Sequence, residues 1–129
     1  MTGISPHCVA TLLKQFFMSL IDPVIPFSCY NSFTSLLDQS IPDDEKIREY
    51  KTLLEQLPMV NRATLQFLLE YLVVINSNAE VNLMNSSNLG VVFGPSLLRS
   101  QVPDPISLMS STSSRVVEFM IDHFSALFN

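Results

Sequence analysis

The 129-residue sequence predicts an all-α fold, one irregular bundle of about six helices forming a single domain over residues 1–129. Three observations carry this expectation. Apolar residues recur every three or four positions through successive stretches. No apolar–polar alternation persists long enough to build a sheet. Proline punctuates the pattern between stretches. The stretches differ in length and spacing, so there is no internal repeat.

The elements follow in order. Ser5-Pro6 reads as a cap with proline at the first helical position. Val9, Leu12, Leu13, Phe16, Phe17 and Leu20 then form one broad apolar face, and Asp22-Pro23 ends the helix. The opposite face carries His7, Thr11, Lys14 and Met18. Pro26 and Ser28 open a second helix through about Asp38, with Tyr30, Phe33, Leu36 and Leu37 inward. Pro42-Asp43-Asp44-Glu45 places acids in the first turn of a third helix, where the dipole favours them. Its stripe is Ile47, Tyr50, Leu53, Leu54 and Leu57, closed by Pro58.

Asn61 is expected to cap a long fourth helix reaching about Asn76. One stripe of it is Leu65, Leu68, Leu69, Leu72 and Ile75; a second is Phe67, Tyr71 and Val74. A helix apolar on two sides should be buried on two sides, hence central. A short fifth helix runs from about Ser86 to Phe93 and stops at Gly94-Pro95. Asn88 lies inside it, although asparagine is a poor helix former. Asn88 therefore either caps something locally or points outward to a partner. A Ser/Pro/Asp-rich loop from Arg99 to about Thr112 is the segment expected to move most. The last helix buries Val116, Val117, Met120, Ile121, Phe124 and Leu127.

Composition narrows the function classes. Hydrophobic residues make up 47% and charged residues 15% of the chain, with mean hydropathy +0.31. An ordinary soluble domain is roughly a quarter charged, so apolar material is in excess. That excess implies a docking surface or an uncovered part of the fold, and an uncovered edge would offer a surface for self-association. Net charge is −5 with seven basic residues scattered along the chain. The basic stripe of a nucleic-acid binder and the polybasic cluster of a membrane-surface binder are both missing. No run approaches the ~18 apolar residues of a membrane span, and no secretory core follows Met1. Reduced thiols at Cys8 and Cys29 in a cytoplasmic protein are the resulting expectation.

Autonomous catalysis is not visible. Two His and two Cys without metal-ligand spacing provide no metal site. No nucleophile sits in a recognisable motif, and Gly3, Gly90 and Gly94 do not form a phosphate loop. No cofactor is indicated. The polar face of the first helix is more informative. Lys14 and Met18 are i, i+4 neighbours, and a methionine off the apolar stripe beside a lysine suggests a contact surface.

Four ordered blocks carry a family resemblance. Val9-Ala10-Thr11-Leu12-Leu13-Lys14-Gln15-Phe16-Phe17 and Leu20-Ile21-Asp22-Pro23-Val24-Ile25-Pro26 resemble the lysine-bearing helix and following turn of the Rho GTPase-activating (RhoGAP) domain. Leu57-Pro58 with Asn61-Arg62-Ala63-Thr64-Leu65 is similar to the start of that family's long helix. Asn82-Leu83-Met84 and Asn88-Leu89-Gly90-Val91-Val92-Phe93-Gly94-Pro95-Ser96-Leu97-Leu98 resemble its asparagine signature. The likeness runs from about His7 to Phe128.

The resemblance implies a helical module that grips the GTP-bound form of a Rho-family small GTPase and, in its intact parent, stimulates hydrolysis. Such a module regulates a GTPase and is not itself an enzyme. It implies GTPase-binding roles for Lys14, Met18, Asn82, Asn88 and Pro95. Two departures accompany it. Met18 stands where the family carries an arginine. The family's arginine finger precedes the lysine helix, whereas the first arginine here is Arg48. A finger contributes roughly 10³–10⁵ in rate, so this chain is expected to lack the upstream helices and finger loop and to stimulate weakly. The alternative is a non-catalytic GTPase-binding or scaffold module.

Overall fold

The computed structural model describes residues 6–99 and 112–128, with the side chains of Pro6 and His7 excepted. The Ser/Pro/Asp-rich loop, the cap at Ser5 and the placement of the His7 side chain therefore lie outside the described residues. Every regular element among them is helical. α1 spans Pro6–Met18, a 3₁₀ turn spans Phe27–Cys29, and α2 spans Tyr30–Leu37. α3 covers Asp43–Glu55, α4 Met59–Ser77, and the one-turn α5 Ala79–Asn82. α6 is Ser86–Leu97, α7 Thr112–Asp122, and the short α8 Phe124–Leu127.

The core is built around α6 and α7, the most intimately packed pair; α7 also meets α2 and α4. Leu89, Phe93 and Leu97 from α6 meet Val116, Val117 and Met120 from α7, all withdrawn from water. Gly90 and Gly94 make this approach close. A Cβ on Gly90 would collide with the Ser114 carbonyl oxygen, and one on Gly94 would lie 2.7 Å from the Ser114 amide nitrogen. This is also why α6 runs through Gly94-Pro95 instead of stopping there as expected. Proline disfavours helical backbone in the preceding residue in part through that residue's Cβ, which Gly94 lacks. Leu98 N–H donates to the Gly94 carbonyl at 2.9 Å and closes the final turn.

α4 departs from expectation in two ways. Pro58, not Asn61, precedes its first turn; Asn61 Nδ2 instead donates to the Val24 carbonyl at 3.0 Å. Its first stripe, Leu65 through Ile75, is buried as predicted. Its second stripe faces out: Phe67 is 77% exposed, with Val74 and Tyr71 also open. Periodicity shows that a face is apolar, but not whether another element covers it. α4 is thus a flank of the core, open on one side.

α1 shows the same effect. It ends at Met18, short of the expected stop at Asp22-Pro23, and its contact with the core is a narrow stripe of Ala10, Leu13 and Phe17, while Leu12 and Phe16 stay largely exposed. α1 packs on α6 and stands off α4 across an apolar groove of about 460 Å³ lined by Val9, Leu13, Phe17, Phe67, Leu68 and Tyr71. The last predicted helix divides at His123, whose backbone leaves the helical region (φ −116°, ψ 23°).

Two polar devices stiffen the bundle. Tyr50 is buried and its hydroxyl donates to the Phe33 carbonyl at 2.6 Å. Burial, reinforced by the Asp38 carboxylate, pushes this phenol well above its ordinary range, so it stays a donor. Arg99 sends its guanidinium to the Leu20 carbonyl (2.6 Å) and the Ser96 carbonyl (3.2 Å), tying the end of α1 to the end of α6.

Candidate functional site

The residues singled out in the sequence fall on two helices in direct contact, α1 and α6, and, for Asn82, on the last residue of α5. Lys14 and Met18 lie one turn apart on the solvent side of α1; Lys14 is exposed and Met18 is 46% exposed. The Lys14 ammonium makes no ion pair among the described residues. Charge and apolar surface thus sit side by side, available to a partner.

On α6 the exposed positions Asn88, Val91 and Pro95 form one outer row at i, i+3, i+7, opposite the buried row of Leu89, Phe93 and Leu97. Asn88 is exposed and also makes a local side-chain bond, its Nδ2 donating to the Leu83 carbonyl at 3.1 Å. The local cap is a different residue: Asn85 precedes the helix, and its Oδ1 accepts from the Asn88 amide at 2.9 Å. Because a carbonyl must be met by the NH₂ end, the Asn88 Oδ1 points away from Leu83.

Asn82 has a different environment. It is half-buried; its Nδ2 donates to the Ile75 carbonyl at 3.0 Å, and its Oδ1 accepts from the Met84 amide at 2.8 Å. It bridges the end of α4 to the chain entering α6. Asn76 adds a parallel brace, its Oδ1 accepting from the Ser86 amide at 2.8 Å. Asn76, Asn82, Asn85 and Asn88 together fix the α5–α6 loop. Sequence reasoning singled out only the second and fourth; the recurrence of asparagine through residues 76–88 was the available signal.

Leu83 was also missed. It has φ 64° and ψ 18°, the one non-glycine among the described residues at positive φ, and is 74% exposed. A left-handed conformation costs a residue with a Cβ about 1–2 kcal/mol. Val81 and Val91 extend the exposed apolar surface around it.

This surface combines charged, polar and apolar groups. It presents an ammonium, an amide oxygen and apolar side chains. Among the described residues no His/Cys/Asp/Glu cluster could hold a metal ion. No helix there is long and apolar enough to cross a membrane. Cys8 is exposed and Cys29 partly buried, and neither forms a disulfide.

Comparison with known proteins adds three findings. A model of the RhoGAP domain matches residues 1–102. GEM-interacting protein of Homo sapiens is 38% identical over 147 aligned residues, which take in 99% of this chain and 15% of that protein. Rho GTPase-activating protein 45 of Xenopus laevis is 33% identical, with 96% of this chain and 14% of its own length aligned. The chain thus spans about 15% of the length of such relatives. Among solved structures, human Rho GTPase activating protein 15 superposes with a TM-score of 0.86 at 31% identity, covering 95% of this chain and 58% of that one. The BH domain from Graf, the GTPase regulator associated with focal adhesion kinase, does so with a TM-score of 0.86 at 26% identity, covering 100% and 69%.

Proposed function

This chain belongs to the RhoGAP domain family, and from that premise we propose that it binds the GTP-bound form of a Rho-family small GTPase through the exposed faces of α1 and α6. The observation that carries this reading is Asn88: an asparagine within a helix, in the family-matched region, exposed and with its NH₂ held by the Leu83 carbonyl. Lys14 supplies the cation, Met18 and Pro95 supply contact area, and Asn82 holds the loop rather than touching the partner.

In the intact parent protein the module stimulates GTP hydrolysis; this chain alone holds the GTPase with little acceleration. The four arginines support that division. Arg62 lies over the Phe128 ring at 5.5 Å, Arg99 is tied to backbone carbonyls, and Arg115 pairs with Asp38 at 3.4 Å. Arg48 sits on α3, which packs on α2 and α8 instead of on α1 or α6. On this reading none of the four serves as an arginine finger. The chain acts in the cytoplasm as a regulator, without nucleic-acid or membrane-inserted partners. The open α1–α4 groove supports self-association as a second contact mode.

A second reading, a scaffold that never stimulates hydrolysis even in its parent, draws on Met18 standing where the family has arginine. Two measurements decide. Calorimetry with Rho-type GTPases carrying a non-hydrolysable GTP analogue should show binding that Lys14→Ala and Asn88→Ala each weaken. Single-turnover hydrolysis should be accelerated by less than about 100-fold, a small part of what an arginine finger adds. Absence of binding refutes the proposal, and a larger acceleration refutes weak stimulation. Failure of the intact parent to stimulate would favour the scaffold.

A further inference from the structure

We propose that Leu83 is a binding contact of this surface, an apolar knob pre-set by Asn88 to enter an apolar patch on the GTP-loaded GTPase. The proposal rests on the function inferred above and deepens it. Folding gives no reason for a leucine here. The backbone is left-handed (φ 64°), a conformation that favours glycine or asparagine, and the side chain is 74% exposed, so it adds nothing to the core.

The surrounding loop nevertheless over-determines the position. Leu83 N–H donates to the Ala79 carbonyl at 2.9 Å, and its carbonyl accepts from Asn88 Nδ2 at 3.1 Å. Met84, next in the chain, is buried, and its amide is held by Asn82 Oδ1. An outlier held from three directions with its apolar side chain in water fits a preorganised contact, because rigidity set before binding lowers the ordering cost on binding. Asn88 is then a positioning residue as well as a contact. One N–H of its NH₂ fixes Leu83, which leaves its Oδ1 and its second N–H for the partner.

The test uses the 129-residue chain and Rho-type GTPases loaded with a non-hydrolysable GTP analogue. Leu83→Gly and Leu83→Asn should each bind roughly 10-fold more weakly while melting no lower than wild type. Leu83→Met should bind within about threefold of wild type. Asn88→Ala should cost less affinity in the Leu83→Gly background than in the wild type, since the two act partly as one unit. Wild-type affinity for Leu83→Gly, in a chain that does bind, overturns the contact and leaves the function standing. Melting of Leu83→Gly well below wild type makes the leucine structural and also overturns it. A strictly additive double-mutant cycle removes the positioning role. No binding by wild type removes both the proposal and the reading beneath it.

Discussion

Gly94→Ala is expected to destabilise the bundle, although helix propensity alone assigns it the opposite sign. Replacing an interior helical glycine with alanine is worth about 1 kcal/mol in favour of the helix. The new Cβ, however, would lie 2.7 Å from Ser114 N, 2.8 Å from Ser114 Cα and 2.9 Å from Ser113 C. All three are backbone atoms and cannot rotate aside. α7 must retreat by roughly 0.7 Å for the nearest to return to ordinary contact at 3.4 Å, which loosens the buried seam of Phe93, Leu97, Val117 and Met120. Overpacking of this kind costs about 1–3 kcal/mol, and a Cβ ahead of Pro95 adds strain of its own. We expect a net loss of about 1–2 kcal/mol. With a urea slope of about 1–3 kcal/mol per molar, the unfolding midpoint should fall by roughly 1 M at unchanged slope. Gly90→Ala should move the same way, since its Cβ meets the Ser114 carbonyl. A midpoint unchanged or raised in Gly94→Ala would refute the close α6–α7 seam as a constraint on the sequence.

Three further outcomes are expected. Asn82→Ala should cost about 1–3 kcal/mol in urea unfolding, because the Ile75 carbonyl and the Met84 amide both lose a partner, whereas exposed Asn88→Ala should cost under about 1 kcal/mol; equal losses would contradict their different environments. Tyr50 has its phenol raised above the ordinary value of about 10. The folded state therefore keeps its full stability below pH 10 and loses up to ~1.4 kcal/mol per unit as pH rises above it. Tyr50→Phe should flatten that alkaline limb in urea titrations between about pH 8 and 11, and an identical slope would point to other groups. Met18→Arg should tighten GTPase binding at low salt and lose most of that gain at about 0.5 M salt, where exposed charges are screened; a salt-independent change would argue against an electrostatic contact.

Much of this architecture was legible in the sequence, and the failures have physical causes. The buried stripe Leu65–Ile75 was readable because a 3.6-residue period points five side chains to one side. The second stripe, Phe67, Tyr71 and Val74, obeys the same period but faces water. Periodicity belongs to one helix, whereas cover belongs to its neighbours. Gly94-Pro95 read as a stop because each residue disfavours helix singly. Together they allow it near the helix end, where the missing Cβ of Gly94 removes part of the clash with Pro95, although Pro95 still forgoes its own bond to the Val91 carbonyl. Asn61 looked like a cap, yet its amide serves the distant Val24 carbonyl. For the site, Lys14, Met18, Asn88 and Pro95 are exposed on adjoining helices. Leu83 stayed hidden because nothing in a leucine's identity announces left-handed backbone.

The open groove between α1 and α4 bears on how this protein responds to heat and cold. Apolar surface at Phe67 and Tyr71 in the groove, and at Leu12, Phe16 and Val74 elsewhere on the same two helices, is wetted before unfolding begins. Melting therefore exposes less new apolar area than in a fully covered domain of equal length. The heat-capacity increment should fall below the ~12–15 cal/mol/K per residue of ordinary globular proteins. A smaller increment flattens the curve of stability against temperature. Stability would then vary gently across the working range, and cold would weaken the fold less than is usual.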